Sequence, residues 1–394
     1  MNQRRIKTVW LSGSRIADIP GFVKMTQFKY HNLRLMEPSL GPYRPAVPPE
    51  RRLAVLMSGG VDSSVTAYLL KKAGWDVVGV TMKTPNACIP GEGNSGVDAA
   101  RVCSQLGIAH YLVDVTEAFH DIVIGRFRDV YAAGKTPNPC VECNARLKLG
   151  LVWDLLEETF GIGRLATGHY ARIAETPYGP ALRRAASGAK DQSYFLYRID
   201  RRRLGKFVLP LGDYTKAQVR AIAAEVGLSI AEKPESMELC FTGEADYRSI
   251  LGAEADCPGD LTDMEGRVIG THKGISHYTL GQRRGLGYAG GEPLYVGRID
   301  PRENTVAIGT RDEVSRRRVR AAEYNVHLPD VLQPAARLSA KIRSYGPPQP
   351  CTVTDVSPDK VVVEFDEPQF APAPGQSLVL YYADEYVAGG GVIV

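Results

Sequence analysis

The stretch "RLAVLMSGGVDSSVTAYLLKKAGWDVVGVTM", from Arg52 to Met82, decides the fold. Its first six residues form a short apolar run that is typical of a buried strand. Val65, Leu69 and Leu70 have helical spacing, and the last seven residues are again rich in β-branched side chains. A strand, a helix and a second strand in this order predict the repeating unit of a parallel sheet.

The same alternation continues through the next hundred residues. It predicts helices near 97–106, 116–133 and 144–160, with strands at "HYLVDV" and "RLATGHY". We therefore expect an α/β domain with a doubly wound parallel sheet over residues 51–240. After about Ser236 apolar and polar residues alternate around Pro, Asn, Asp and Gly turns, which predicts a small α+β central domain at 241–305 and an antiparallel β-barrel or sandwich at 306–394.

The first fifty residues differ from the rest of the chain. Residues 1–52 carry ten Lys and Arg against three Asp and Glu, although the net charge of the whole chain is only +4. Five prolines between Pro38 and Pro49 interrupt any helical or strand period. We interpret residues 1–50 as a basic, Pro-rich and poorly ordered extension, and favour this over an organelle transit peptide.

Composition narrows the class of protein. A length of 394 residues exceeds one hydrophobic core, and 44% hydrophobic with 23% charged residues is ordinary for a soluble globular chain. No apolar run approaches the roughly 20 residues of a membrane span. Seven cysteines without a secretory signal favour a cytoplasmic protein, which we expect to be monomeric, with thiols that serve as nucleophiles or metal ligands.

The loop between the first strand and its helix is suited to an anion. It lies at the carboxyl edge of the predicted sheet, where open α/β folds bind ligands. Gly59 and Gly60 permit close backbone approach, and neighbouring serine hydroxyls with the helix N-terminus can surround a phosphate. The loop has no P-loop lysine, and Asp62 would repel phosphate unless it binds magnesium or a backbone donor. A plain Gly-Ser turn that caps a helix is the alternative interpretation.

Three cysteines lie in two motifs that suggest sulfur chemistry. "GKTPNPCVECNARLKLG" places Cys140 and Cys143 in a turn-rich loop directly before a helix, and "ESMELCFTGEADYRSIL" contains Cys240. A thiol near a helix N-terminus, with Arg146 and Lys148 close by, is expected to be partly thiolate. We interpret the other four cysteines as small buried hydrophobic residues: Cys88, Cys103, Cys257 and Cys351.

These motifs together resemble known families. S-G-G-V-D-S-S resembles the PP-loop of the ATP pyrophosphatase superfamily, with its adenine nucleotide alpha hydrolase-like fold. N-P-C-V-E-C-N, A-T-G-H-Y-A, K-D-Q-S-Y-F-L, C-F-T-G-E-A-D-Y-R, Y-T-L-G-Q-R-R-G-L-G and E-F-D-E-P-Q resemble the tRNA-specific 2-thiouridylase family, in the right order and over residues 52–394. Only the N-terminal extension lies outside the residues that resemble this family.

The resemblance implies a two-step reaction on tRNA. ATP, with an expected Mg²⁺ ion, adenylates O2 of the wobble uridine at tRNA position 34, and a persulfide sulfur then displaces AMP at C2. By motif match Cys240 would carry the persulfide, and Cys143 would release its sulfur and could form a disulfide with Cys240. The implied partners are tRNA and a sulfur-relay or cysteine desulfurase donor protein.

The resemblance also implies binding residues. The ATP-site matches are Leu56, Met57, Ser58, Gly59, Gly60, Val61, Asp62, Ser63, Met82 and Gly168. The matches to tRNA-contacting positions are Asn138, Pro139, Cys140, His169, Lys190, Asp191, Gln192, Arg343, Ser344 and Gln376, of which the first three would contact the target base. His169 could instead be an ordinary core histidine.

The chain departs from the family pattern at Cys140, where many members have Asp. Cys140, Cys143 and Cys240 could therefore hold an iron-sulfur cluster, whereas a fourth ligand for zinc is not evident. We favour persulfide chemistry. Two other classes remain as alternatives: a PP-loop amide ligase or synthetase, which would have no use for the thiols, and a catalytically inactive RNA-binding protein, which would leave the intact Asp62 unexplained.

Overall fold

The computed structural model describes residues 10–11, 14–15, 33–36, 47–85, 95–234, 240–241, 250–251, 257–288 and 291–394. Contacts divide the chain into two units that each combine distant stretches of sequence. Unit 1 comprises Met1–Ala118, Val152–Gly168 and Ala217–Glu235, and unit 2 comprises Phe119–Leu151, His169–Lys216 and Ser236–Val394. These two units differ from the three domains expected from the sequence, at residues 51–240, 241–305 and 306–394.

Unit 1 contains the predicted parallel sheet with its covering helices. Five of its strands lie side by side in the order Leu165–Ala166, Arg52–Leu56, Asp76–Lys83, Ala109–Asp114 and Arg34–Met36. The first four are parallel and the last is antiparallel. The helices of this unit include Val61–Lys72, Ser95–Leu106, Trp153–Phe160 and most of Lys216–Glu225. The strand Arg52–Leu56 is buried on both faces, which explains its continuous apolar sequence.

The strand Arg34–Met36 was not expected from the sequence. Leu35 pairs with Val113 at the edge of the sheet, and Leu33 and Leu35 are 2% and 0% exposed. The expectation of a poorly ordered extension therefore does not hold for residues 33–36. The strand is not evident from the sequence, because three residues are too few to show an alternating pattern. Two further short strands, Trp10–Leu11 and Ser14–Arg15, pair with each other, and most of the extension lies outside the described residues.

Two truncated chains distinguish the contribution of the strand Arg34–Met36 to stability from that of the rest of the extension. Deleting residues 1–32 is expected to leave both stability and activity unchanged. Deleting residues 1–50 should preserve activity but lower the free energy of unfolding by roughly 2 kcal/mol or more, because two buried leucines are lost. Urea denaturation of the two truncated chains checks this expectation, and equal stability would show that the edge strand contributes nothing.

Two long helices lie in sequence between the strands Ala109–Asp114 and Leu165–Ala166. The first is continuous over Thr116–Phe119, a π-helical His120–Gly125 and Arg126–Ala132, as predicted within one residue. The second runs over Pro139–Glu142, a π-helical Cys143–Val152 and Trp153–Phe160. It begins five residues earlier than the predicted residue 144. Among the described residues, no helix is both long and apolar enough to cross a membrane.

Unit 2 contains the predicted C-terminal β-barrel. Its six strands are Ser315–Val326, Arg337–Lys341, Gln349–Ser357, Lys360–Phe370, Ser377–Tyr382 and Tyr386–Ile393. Pairing of the first strand with both Lys360–Phe370 and Tyr386–Ile393 closes the barrel around a core that includes Val353, Val363 and Phe365. The hairpin Ala171–Thr176 with Gly179–Arg184 extends the same sheet. Closure leaves no open edge within the barrel.

The central region of unit 2 is a second, smaller sheet. Its strands are Gly259–Thr262, Val268–His272, Tyr295–Asp300 and Thr305–Gly309. Gly259–Thr262 pairs in parallel with Thr305–Gly309, and the other two pairings are antiparallel. Leu261, Val296 and Val306 form a separate apolar core. The last strand continues past residue 305, the boundary expected from the sequence. Within the described part of this region, helical structure is confined to Ile250 and the short turn Ile275–His277.

Candidate active site

The glycine-serine loop of unit 1 presents an open helix N-terminus. The strand ends at Leu56, the helix begins at Val61, and Gly60 at the N-cap makes no side-chain capping hydrogen bond. Gly59 has a φ of 70°, a conformation that favours glycine. The N-cap residue thus offers no side chain to the N-terminal amides of the helix, which is compatible with the anion site expected from the sequence.

Serine hydroxyls fix the shape of this loop. Ser63 Oγ accepts the Ser58 amide N–H at 3.1 Å and donates to Gly60 O at 3.2 Å. Ser64 Oγ also donates to Gly60 O, at 2.9 Å, and Ser64 is fully buried. Ser64 thus supports the loop from within, whereas half-buried Asp62 lies on the first turn of the helix.

Gly168 packs directly against this loop. A Cβ atom at Gly168 would lie 2.9 Å from Ser63 N and 3.0 Å from Asp62 C. The backbone of the loop therefore leaves no room for a side chain at this position. Met82 lies near the carboxyl end of the neighbouring strand Asp76–Lys83, where it pairs with Val113. The structure thus brings two of the more distant ATP-site matches to the edge of the sheet that carries the loop.

The substitution Gly168→Ala tests this close approach. The added methyl group must displace the backbone of Ser63, so ATP affinity is expected to fall by at least about tenfold with the protein still folded. Calorimetric titration with ATP measures the effect. Gly270→Ala is a matched control, since a Cβ there meets its nearest neighbour, Leu261, at 3.7 Å. Equal ATP affinity in the two variants would contradict the proximity argument.

A lysine that was not expected from the sequence lies beside the loop. Lys233 Nζ donates to Gly59 O at 3.2 Å and pairs with Asp98 Oδ2 at 2.7 Å. The loop does have a neighbouring cation, although Lys233 is separated from it by 174 positions in sequence. No local motif signals this contact, because it forms only when the segment after the helix Lys216–Glu225 returns to the sheet.

The cysteine motif of unit 2 begins a helix instead of preceding one. Asn138 is the N-cap, and its side chain accepts the Val141 N–H at 3.4 Å, with Pro139 at the first helical position. Both residues favour a helix start, so the expected turn-rich loop around Cys140 and Cys143 is wrong. Cys140 is exposed in the first turn, and Cys143 is buried at the start of the π-helical segment.

Burial dominates the acidity of these thiols. It raises the pKa of Cys143 to about 11, while the Lys148 ammonium opposes this shift and Cys240 and Cys140 add to it. The surrounding protein also raises the pKa of the Cys140 and Cys240 thiols by desolvation, although both side chains reach solvent, and Lys148 again opposes the shift. Desolvation therefore outweighs the nearby positive charge, contrary to the expectation of a partly ionised thiol.

The raised pKa of Cys143 predicts the pH dependence of its alkylation. Because the thiolate is the reactive form, the iodoacetamide rate at Cys143 should rise about tenfold per unit between roughly pH 7 and pH 10. In the urea-unfolded chain the rise should level off near the ordinary thiol range of about 8.5. Mass spectrometry of the labelled peptide gives both profiles, and identical profiles would contradict the effect of burial.

Cys240 is brought to the same region by its neighbour. Phe241 is buried edge-on against Phe119 and Phe127, with ring centroids 6.0 Å and 5.4 Å apart. Cys140, Cys143 and Cys240 are all free thiols. Within the part of the chain that the structure describes, no three His, Cys, Asp or Glu residues are arranged to hold a metal ion.

Lys148 and His169 complete the surroundings of the thiols. Lys148 Nζ donates to Asn144 Oδ1 at 3.0 Å, and the Asn144 amide donates to Phe195 O at 3.2 Å, which fixes the lysine on the cysteine helix. Burial, together with the Lys148 ammonium, lowers the pKa of half-buried His169 to about 3. His169 is therefore neutral near pH 7, and Lys148 is a second residue that was not included among the expected site residues.

The expected tRNA-contacting residues occupy different environments. Lys190, Arg343 and Ser344 are exposed. The Asp191 side chain is only 1% exposed and accepts hydrogen bonds from Arg184, Ala185 and Ser193. Asp191 is thus engaged inside the protein.

Two glutamines stabilise backbone segments near these residues. Gln192 accepts the Tyr170 N–H at 2.9 Å and donates its own N–H to Tyr170 O at 2.8 Å. Gln376 Nε2 donates to Thr136 O at 3.2 Å and Pro137 O at 2.9 Å, directly before the helix that carries Cys140. Gln376 thus joins the barrel to the cysteine motif within unit 2.

The remaining cysteines divide as follows. Cys103 and Cys351 are fully buried, which confirms their interpretation as small hydrophobic residues. Cys257 is exposed, so that interpretation is wrong for it. It directly precedes the strand Gly259–Thr262, outside the apolar core of the smaller sheet. Cys88 lies outside the described residues.

Comparisons with known proteins cover the chain from residue 51 onward. Three family models match in succession: the tRNA methyl transferase HUP domain over 51–244, the tRNA methyl transferase PRC-barrel domain over 250–310, and the aminomethyltransferase beta-barrel domain over 316–393. The HUP match confirms the expected nucleotide-binding fold. The last match confirms the expected barrel.

Curated relatives match over most of their length. The tRNA-specific 2-thiouridylase MnmA of Lachnoclostridium phytofermentans is 42% identical over 359 residues, which covers 87% of this chain and 99% of the relative. The protein of the same name from Moorella thermoacetica is 42% identical over 352 residues, 86% of this chain and 98% of the relative. These matches confirm the resemblance inferred from the motifs.

Solved structures are more distant. NMN synthetase from Francisella tularensis has 20% identity and a TM-score of 0.33, and covers 50% of this chain and 74% of that one. The U34-tRNA thiolase NcsA from Methanococcus maripaludis with its 4Fe-4S cluster has 20% identity and a TM-score of 0.31, over 52% of this chain and 65% of that one. These similarities are too weak to carry an argument. The matches to curated relatives are strong, and the chain belongs to the tRNA-specific 2-thiouridylase family.

Proposed function

We propose that the protein thiolates C2 of the wobble uridine of tRNA, using ATP to activate the uridine and a cysteine persulfide to supply sulfur. The observation that carries this proposal is the combination of an uncapped PP-loop helix with free Cys143 and Cys240 in one chain. A PP-loop alone would suit many adenylating enzymes. The thiols, which lie near a shared lysine, indicate that the acceptor is then attacked by sulfur.

The loop of unit 1 would hold the pyrophosphate of ATP. Its helix amides would donate to the phosphate oxygens, while the serine hydroxyls, which donate to Gly60 O, hold the loop in shape. The carboxylate of half-buried Asp62 is the kind of oxygen ligand that Mg²⁺, a hard cation, prefers, so Asp62 would hold the ion. When bound, Mg²⁺ would offset phosphate charge. Asp62 would thereby avoid repelling the nucleotide, which answers the objection raised by its charge.

Sulfur transfer follows activation. The terminal sulfur of a Cys240 persulfide forms a bond to C2, and the bond from C2 to O2 breaks, so that AMP leaves with the oxygen and its electron pair. The Cys143 thiolate then attacks Cys240 Sγ and forms a disulfide. The bond to the terminal sulfur breaks, and this sulfur keeps the electron pair and remains on the base as the 2-thio group.

The surroundings of the thiols bear on this step. Cys143 is protonated near neutral pH because burial raises its pKa to about 11. Its proton must therefore leave when sulfur is transferred, and the Lys148 ammonium favours the resulting anion. Neutral His169 adds no competing charge. The reaction is thus expected to depend on substrate binding to assemble a reactive thiolate.

The protein would need two macromolecular partners. Exposed arginines on the barrel strand Ser315–Val326 provide positive charge for tRNA phosphates: Arg316, Arg317, Arg318 and Arg320. A sulfur-relay or cysteine desulfurase protein would load Cys240, whose side chain is exposed. The cytosol, where thiols remain reduced and tRNA is present, is the compartment consistent with this chemistry.

Deletion of the gene tests the proposal in the native host. Mass spectrometry of tRNA nucleosides should show loss of 2-thiouridine derivatives at the wobble position, and the intact chain should restore them. Unchanged wobble thiolation after deletion would contradict the proposal. If the purified chain instead converts ATP to AMP on a small carboxylic acid without tRNA, it is a ligase of the PP-loop class.

A further inference from the structure

Lys233 is held beside the PP-loop by several contacts within unit 1. The helix Lys216–Glu225 ends near Gly227, whose φ is 65°, and buried Leu228 and Ile230 anchor the segment that follows. The Lys233 amide donates to Ile230 O at 3.0 Å, and Arg220 donates to Lys233 O at 3.5 Å. The backbone of Lys233 is thus fixed independently of its ammonium group.

The side chain of Lys233 extends to the anion-binding loop. Nζ lies 3.2 Å from Gly59 O and 2.7 Å from Asp98 Oδ2, and its side chain is 28% exposed. Gly59 and Gly60 are the positions at which the loop backbone would approach a phosphate. The ammonium group is therefore next to the expected position of the pyrophosphate and still reaches solvent.

The charges around the loop indicate what the Lys233 ammonium group does there. The loop itself carries Asp62 and no basic residue, so a bound pyrophosphate would meet a local negative charge. An ammonium group contacting the loop backbone compensates for that charge and can donate to phosphate oxygens. A P-loop supplies its lysine from within the motif. Here the lysine would come from a distant part of the chain.

We propose that Lys233 is a ligand of the ATP pyrophosphate, and that Asp98 holds its ammonium group in place until the nucleotide binds. This inference rests on the proposed use of the loop for ATP. On binding, the ammonium group exchanges its contacts with Gly59 O and Asp98 for phosphate oxygens.

A purely structural role would make a different prediction. If Lys233 only ties the helix Ser95–Leu106 to the loop through Asp98, removal of either partner breaks the same tie and should have the same effect. If Lys233 binds phosphate, Asp98→Asn leaves the cation present and removes a competing anion. The two substitutions should then change pyrophosphate affinity in opposite directions, or only one should weaken it.

Calorimetric titration of the full chain with inorganic pyrophosphate and Mg²⁺ distinguishes these roles. Lys233→Met is expected to weaken binding by at least about tenfold, since a charge-assisted contact is lost, and Lys233→Arg should retain part of the affinity. Asp98→Asn should bind pyrophosphate as tightly as the parent chain or more tightly. Lys72→Met is the matched control, because Lys72 is an exposed lysine at the opposite end of the loop's helix.

Unchanged binding by Lys233→Met, or equal weakening by Lys233→Met and Asp98→Asn, would overturn the inference. If Lys233→Met fails to fold, Asp98→Asn decides: unchanged or tighter binding supports the proposal, and tenfold weaker binding refutes it. The nucleoside assay distinguishes this result from the proposed function. If Lys233→Met still makes 2-thiouridine and binds pyrophosphate as tightly as the parent chain, only the inference about Lys233 is refuted.

Discussion

Cys240→Ser is expected to abolish 2-thiouridine formation while tRNA-dependent AMP formation remains measurable. Cys240 would carry the transferred sulfur, and serine cannot form a persulfide. Activation of O2 uses ATP and precedes the attack by sulfur, so it should not require a thiol. Nucleoside mass spectrometry and chromatographic detection of AMP from the same reaction give the two readouts. Cys143→Ser is expected to behave in the same way.

Matched cysteine variants show whether this loss is specific. Cys257→Ser replaces another exposed thiol and Cys351→Ser another buried one, and both should retain thiolation. Cys140→Ser should also retain substantial activity, because the persulfide mechanism uses only two thiols. A Cys140→Ser chain as inactive as Cys240→Ser, with iron and sulfide bound in proportion after anaerobic reconstitution, would contradict the mechanism in favour of a three-cysteine cluster.

Asp62→Ala is expected to lower AMP formation by roughly a hundredfold or more, because the proposed magnesium ligand at the pyrophosphate is lost. Affinity for tRNA should remain within about tenfold of the parent chain, since contacts between basic side chains and RNA phosphates dominate binding. Adenylation assays and filter binding of labelled tRNA measure the two effects.

Asp213→Ala serves as the control for loss of a carboxylate. The side chain of Asp213 is 73% exposed and pairs at 3.4 Å with Arg172 in unit 2, so its removal should leave AMP formation unchanged. Unchanged AMP formation in Asp62→Ala would show that the loop is a structural turn. A parallel loss of tRNA affinity in that variant would place RNA contacts in the loop itself.

The sequence was sufficient to predict the parts of the fold that rest on local pattern. The run Arg52–Leu56, the glycines that follow and the helix Val61–Lys72 each carry their own signal, and the alternating barrel strands do as well. The strand Arg34–Met36 could not be predicted, because three residues show no period and its stability comes from pairing with Ala109–Asp114. Edge strands of this kind depend on tertiary contacts.

Two features of the site required three-dimensional information. The acidity of Cys143 depends on how completely the protein surrounds it, and a sequence motif shows nearby charges but not desolvation. The contact between Lys233 and Gly59 joins residues 174 positions apart, so no spacing rule could connect them. The start of the cysteine helix at Pro139, in contrast, was readable from Asn138 and Pro139, which favour an N-cap and a first helical position.

Isotope tracing of the uridine oxygen tests the account most directly. A tRNA transcript made with ¹⁸O at O2 of uridine is incubated with the purified chain, ATP, Mg²⁺, cysteine and a cysteine desulfurase. We predict that each wobble 2-thiouridine formed is accompanied by one AMP that carries the ¹⁸O label in its phosphate, because adenylated O2 leaves with AMP. Thiolation with unlabelled AMP, or labelled AMP from the Asp62→Ala chain at the parent rate, would contradict adenylation of O2 at this loop.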